Sequence, residues 1–170
     1  MRFVLVDEIE RLDVGSRAEG YKRIALDEDY FVDHFPGYPL VPGVLIVESL
    51  AQLGGRLVEA SVRAAAGRRV LPMLARIENA KFVQPVRPGD RLDLEVDLIA
   101  IGDDIARVAG IARVGGRKVA AANLMYAMLD TAGAAAQLTR DQAAALESWS
   151  TRLWSELRPS GRGSTDGERR

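Results

Sequence analysis

The chain has 170 residues, 48% of them apolar and 28% charged, a composition that fits one compact globular domain rather than a disordered segment. Its 23 Lys and Arg against 24 Asp and Glu leave a formal charge of -1, so no global field gathers nucleic acid or coats an anionic membrane. Zero cysteines remove disulfides, thiolate nucleophiles and Cys-ligated metal centres, and the single histidine, His34, makes any imidazole chemistry depend on one residue.

Asp7 and Glu8 interrupt the amino terminus too early for an apolar signal core, and no stretch approaches the roughly 18 consecutive apolar residues of a membrane span. A cytoplasmic, unexported protein is expected. Residues 3–12 alternate imperfectly, Gly15 and Ser16 bring turn chemistry, and residues 18–26 alternate again; the pattern predicts a two-strand hairpin.

Three prolines and two glycines then crowd the ten residues of His34-Phe35-Pro36-Gly37-Tyr38-Pro39-Leu40-Val41-Pro42-Gly43. They forbid regular structure and predict an ordered loop. Pro42 suits a helix start, where its missing N–H would be unpaired anyway, and residues 44–66 continue without a breaker apart from Gly54-Gly55. One long helix is expected. Val44, Leu45, Ile46 and Val47 make its first turn apolar on every side, which implies burial all round, whereas Glu59, Arg63, Arg68 and Arg69 imply emergence into water.

Strand character follows over residues 70–82, 91–101, 105–113 and 118–129, with Gly115-Gly116 a tight-hairpin signal. Residues 91–98, Arg-Leu-Asp-Leu-Glu-Val-Asp-Leu, alternate strictly, so one face packs and the other is wet. These elements predict an α+β fold, a mostly antiparallel sheet around one buried helix, over residues 1–131. Thr139-Arg140-Asp141-Gln142 offers a capping box, and Leu146, Trp149, Leu153, Trp154 and Leu157 form an apolar stripe, so residues 132–158 should add a carboxy-terminal helix. Residues 159–170 hold no apolar side chain and are expected to be a disordered tail.

The loop and helix carry the chemistry. Glu48 sits among Val44, Leu45, Ile46, Val47, Leu50 and Ala51, where a buried carboxylate needs a partner or a proton. The helix start at Gly43 and Val44 presents unpaired N–H groups backed by the positive end of the helix dipole, a cradle for developing oxyanion charge. Gly43 would let a substrate approach the backbone. Taken singly, His34 reads as a satisfied histidine, Glu48 as a helix-surface carboxylate and Gly43 as a simple cap. Together they supply a base, an acid and an electrophilic cradle for removing a proton beside a thioester carbonyl.

The run His34-Phe35-Pro36-Gly37-x-Pro39-x-x-Pro42-Gly43-Val44-Leu45-x-x-Glu48-x-x-x-Gln52 resembles the signature of FabZ-type 3-hydroxyacyl-acyl carrier protein dehydratases of hotdog fold. Ala80-Lys81-Phe82 and Pro85-Val86-x-Pro88-Gly89-Asp90 resemble that family's second block, and Leu5-Val6-Asp7 its usual amino-terminal strand. The resemblance implies a sheet wrapped round a central helix and a homodimer, or a trimer of dimers, with sites at the interface where His34 of one subunit faces Glu48 of the other. It implies that His34 moves the C2 proton, Glu48 protonates the departing 3-hydroxyl, the Gly43 N–H polarises the carbonyl and a trans-2-enoyl thioester results. Gln52, one turn past Glu48, would orient the carboxylate. Phe35, Tyr38 and Pro39, with Leu40 and Met73, are candidate acyl-lining residues or core filler.

No phosphate loop, dinucleotide motif or metal cluster is visible, so no bound cofactor or metal is expected, the substrate arriving on the phosphopantetheine of an acyl carrier protein. Arg76, Lys81, Arg87 and Arg91 are candidate contacts for that carrier or plain solvated strand ends. Asp33 departs from the glycine that the family usually carries before its histidine and is expected to face water. Fatty-acid or polyketide-type biosynthesis is the implied setting. Two alternatives stand beside dehydration: a hotdog thioesterase whose helix carboxylate activates water, and a non-catalytic hotdog partner subunit.

Overall fold

Leu50, Leu53, Leu57, Val58 and Val62 recur at helical spacing along the longest breaker-free segment, and burying that stripe organises the fold. The computed structural model describes residues 3–130 and, past them, Asp141, Gln142, Ala144, Ala145 and Ser148, all helical. The rest of the expected carboxy-terminal helix and tail lies outside the described residues.

The elements are β1 (Glu8–Asp13), β2 (Arg17–Arg23), a 3-10 turn (Asp29–Val32), α1 (Gly43–Ala66), β3 (Val70–Phe82), β4 (Arg91–Ile101), β5 (Ile105–Val114) and β6 (Arg117–Asp130). The strands form one antiparallel sheet in the order β1-β2-β4-β5-β6-β3, curled about α1. The predicted α+β architecture is therefore observed, and the four distal strands fall within a residue or two of their expected bounds. Gly67 closes α1 in the left-handed region, its N–H bonded to the Arg63 carbonyl, and Gly115-Gly116, both at positive φ, turn β5 into β6.

Small side chains let helix and sheet meet. Ala106, Gly110 and Ala112 of β5 and Ala120 and Ala122 of β6 point inward among Val108, Leu124 and Tyr126. A Cβ on Gly110 would lie 3.1 Å from Leu50, and one on Gly54 would lie 2.6 Å from the Tyr126 hydroxyl. That hydroxyl donates to the Ala51 carbonyl at 2.8 Å, stapling α1 to β6. On β4, Leu92, Leu94 and Val96 are buried while Asp93, Glu95 and Asp97 face outward, as the strict alternation predicts.

Three expectations change. The first hairpin is shorter than the alternation suggests: Leu5 and Val6 are buried, but residues 3–6 lie outside any strand because the Leu5 N–H is taken by the Gln52 side chain instead of a ladder partner. The first turn of α1 is not buried all round, since Val44 is 72% exposed; the sheet covers one side of the helix start only. Conversely Glu59 does not emerge into water but is buried between Arg56 and Arg63, at 3.0 and 3.1 Å. An ion pair on one helix face lets charged residues lie under cover that a charge count reads as solvent.

The Gly54 contact yields a stability prediction. Gly54→Ala gains roughly 1 kcal/mol of helix propensity but forces Tyr126 aside, with overpacking of about 1 to 3 kcal/mol and loss of a buried hydrogen bond worth about 1 kcal/mol. Net destabilisation is expected, read as a lower urea midpoint at unchanged slope.

Candidate active site

The loop before α1 is tied down along its length. The 3-10 turn opens after Glu28, whose carbonyl accepts the Phe31 N–H, and the Tyr30 carbonyl accepts that of His34. Lys22 of β2 holds the start of this turn, its ammonium 3.2 Å from Glu28 and 3.1 Å from Asp7. Farther on, Phe35 and Tyr38 exchange backbone hydrogen bonds, the Leu40 N–H donates to the His34 carbonyl and the Val41 N–H to Val86. The His34–Phe35 peptide bond is cis.

These bonds fix the imidazole. His34 Nδ1 lies 2.9 Å from the Leu40 carbonyl oxygen. A carbonyl only accepts, so Nδ1 carries the proton and, in the neutral ring, Nε2 keeps its lone pair as the basic nitrogen. The Phe35 ring stacks on the imidazole, centroids 4.1 Å apart at 26°. His34 and Pro39 are half-buried, whereas Phe35 and Tyr38 are exposed. Asp33 is exposed, as expected for a loop carboxylate.

Glu48 sits one turn into α1 and is half-buried rather than buried, because the neighbouring Val44 side of the helix start is open. Its Oε1 accepts a hydrogen bond from Gln52 Nε2 at 3.0 Å. Among the described residues His34 and Glu48 do not bond each other: the imidazole faces Leu40 and the carboxylate faces Gln52. At the helix start, the Gly43 and Val44 N–H groups have no backbone acceptor among the described residues, while those of Leu45 and Ile46 return to Pro42. On its Cα side Gly43 packs against Phe82, whose Cε1 would lie 2.8 Å from an added Cβ, so a side chain there would displace that ring.

Two features escape the sequence. Tyr126 lies within the field of Glu48: burial first, and then that carboxylate charge, pushes its phenol far above the ordinary value. Tyr38 is braced by Arg87, whose guanidinium donates to the Tyr38 hydroxyl at 2.7 Å and lies 5.2 Å from the ring centre. That brace and the Val41 to Val86 bond fasten the histidine loop to the β3–β4 connection. Of the other candidate cations, Arg91 pairs with Glu10 and Asp93 and covers the Tyr21 ring. Arg76 and Lys81 stand exposed on β3, opposite Met125 and Ala121.

A curled antiparallel sheet gripping one long helix is the hotdog fold, and this chain is a hotdog-fold protein. It belongs to the FabA-like domain family, whose model matches residues 1–123. The 3-hydroxyacyl-(acyl-carrier-protein) dehydratase FabZ of Halalkalibacterium halodurans is 42% identical over 126 residues, covering 74% of this chain and 88% of the relative. The enzyme of the same name from Bacillus velezensis is 45% identical over 128 residues, covering 74% and 87%. Among solved structures, the dehydratase heterocomplex ApeI:P from Xenorhabdus doucetiae superposes with a TM-score of 0.62 at 17% identity, over 75% of this chain and 84% of that one. A thioesterase from Haemophilus influenzae superposes at 0.54 and 16% identity, over 71% and 76%. At such identities these two share the fold alone. No helix among the described residues is long and apolar enough to cross a membrane.

The turn that carries His34 gives a pH prediction. Burial, then the charge of Glu28, pushes the Tyr30 phenol up to about 12. The folded protein thus keeps a proton that the unfolded chain releases near 10. Tyr30 therefore contributes stability below that value that is lost as pH rises from about 10 to 12, Tyr126 acting in the same direction. Tyr30→Phe should flatten the fall of the urea midpoint across this window.

Proposed function

We propose that the chain dehydrates 3-hydroxyacyl thioesters of an acyl carrier protein with His34 as base and Glu48 as acid. The activity follows from kinship: relatives 42 to 45% identical over about three quarters of the chain are 3-hydroxyacyl-(acyl-carrier-protein) dehydratases, and this chain is one of that kind. The observation supporting the assignment of roles is the Leu40 carbonyl on His34 Nδ1, which leaves Nε2 as the base.

In the reaction so read, Nε2 takes the proton from C2 and the electron pair moves toward the thioester carbonyl, whose oxygen gains charge. The unpaired amides at Gly43 and Val44 offer that oxygen donors in fixed positions, which need no reorganisation as charge develops. Glu48, entering protonated, gives its proton to the 3-hydroxyl as the C3–O bond breaks. Water and a trans-2-enoyl thioester leave, with His34 protonated and Glu48 ionised; a proton returning from one to the other restores the site. Every proton in this cycle has a donor and an acceptor on the protein, so the scheme calls on no bound cofactor. Hydrolysis of the thioester would use Glu48 but would give the fixed tautomer of His34 no task. Fatty-acid synthesis is the setting in which such a step is needed, the acyl chain being delivered on the carrier's phosphopantetheine.

We infer further that each site is shared across a homodimer. β3 is a 13-residue edge strand, and Leu74, Ile77 and Phe82 are exposed on it although they share the inward register of Tyr126, Leu124 and Ala120. A long edge with apolar side chains is a template for pairing with a second copy. Such pairing would cover these side chains and bring the histidine loop of one subunit toward the Glu48 of its partner.

Mixing distinguishes shared from self-contained sites. His34→Ala and Glu48→Gln should each reduce dehydration by about 100-fold or more, measured as enoyl thioester formed from 3-hydroxyacyl carrier protein. Co-refolded together, the two inactive chains should recover about a quarter of wild-type activity, because half the dimers are mixed and one of their two sites is intact. No recovery would place both residues of a site in one chain.

A further inference from the structure

We propose that the irregular amino-terminal segment at Phe3 and Leu5 is a positioning element for the Glu48 carboxylate, acting through Gln52; the inference rests on Glu48 being the acid of the dehydration. Gln52 Oε1 accepts the Leu5 N–H at 2.8 Å, and Nε2 donates to Glu48 Oε1 at 3.0 Å and, more loosely, to the Phe3 carbonyl at 3.4 Å. Both donor hydrogens of the amide and one of its oxygen's two acceptor sites are thereby used.

The geometry leaves the amide one orientation. A backbone N–H is only a donor, so the Leu5 N–H requires the oxygen of Gln52 to face it. The nitrogen then faces Glu48. Without Leu5 the glutamine, with three rotatable bonds, could turn its oxygen toward the carboxylate, where two acceptors repel. With Leu5 in place, Oε1 of Glu48 is held by a donor, and Oε2 takes no hydrogen bond among the described residues. A proton on the carboxyl therefore belongs on Oε2, the oxygen left to meet a 3-hydroxyl. A residue 47 positions before Gln52 thereby selects which oxygen of the acid is reactive.

This also explains why residues 3–6 are buried at Leu5 and Val6 yet leave the ladder. A strand there would commit the Leu5 N–H to a neighbouring carbonyl, and the clamp on Gln52 would be lost.

Four variants test the proposal on the full chain, with kcat expressed per folded molecule by circular dichroism. Gln52→Met and Leu5→Pro should each lower kcat about tenfold, the size of one lost hydrogen bond, with KM changed less than twofold. The double variant should fall no further than either single one, since both break the same chain of contacts. Leu5→Val, which keeps the N–H, should retain kcat within twofold. Wild-type kcat in Leu5→Pro, a further tenfold loss in the double variant, or equal losses in Leu5→Val and Leu5→Pro would each overturn the proposal, the last by assigning the effect to side-chain packing. If Leu5→Pro does not fold, replacing the Leu5 amide by an ester through ligation removes the same hydrogen with the side chain intact, and the same outcomes apply. Glu48→Gln is the reference: if it retains dehydration, the assignment of the acid itself fails, whereas an inactive Glu48→Gln beside a fully active Leu5→Pro overturns only the positioning role.

Discussion

The structure depends on burying one stripe of α1 in the concave face of the sheet. Leu50, Leu53, Leu57 and Val58 are each removed fully from water, and burial of this kind supplies the main favourable term of folding. The rest of the site is built on the fixed position that results. Because the helix is gripped along one side, its start is held near the histidine loop and its other side is left free to carry Glu48 and Gln52.

Close approach at the helix–sheet contact makes this grip specific. Gly54 faces the Tyr126 hydroxyl and Gly110 faces Leu50, positions at which a larger residue would push the helix outward. The Tyr126 to Ala51 hydrogen bond then sets the helix along its own axis. Glu48 lies less than one turn before Ala51, so the device that registers helix against sheet also registers the carboxylate.

The histidine loop follows a different logic. It contains almost no repeating backbone pattern, and its order comes from single bonds to fixed neighbours: Tyr30 and Leu40 on His34, Val86 on Val41, Arg87 on Tyr38. Some of these bonds close within the loop and others anchor it to the 3-10 turn and the β3–β4 connection, so polar groups that no repeating pattern pairs are still satisfied. The imidazole is thus held by its own loop while the carboxylate is held by the helix and the amino-terminal segment. Both side chains are thereby oriented by the fold itself, which in the proposed reaction spares reorganisation during proton transfer.

What the sequence determined by itself was whatever short-range pattern encodes. The strict alternation of residues 91–98, the prolines and glycines between His34 and Gly43, the breaker-free run behind Pro42 and the Gly115-Gly116 turn each name a local conformation, and together they name the fold. The spacing from His34 through Gly43 to Glu48 and Gln52 likewise pointed to a candidate site, since the residues stand close along the chain. Tertiary structure alone decided the exposure of Val44 and the edge of β3, the burial of Glu59 between two arginines, the packing of Phe82 against Gly43, and the meeting of Gln52 with Leu5. These depend on which surfaces the curled sheet covers and which distant backbone atom arrives beside a given side chain. Periodicity carries no record of either, because it reports how a segment turns about its own axis and not what lies across from it.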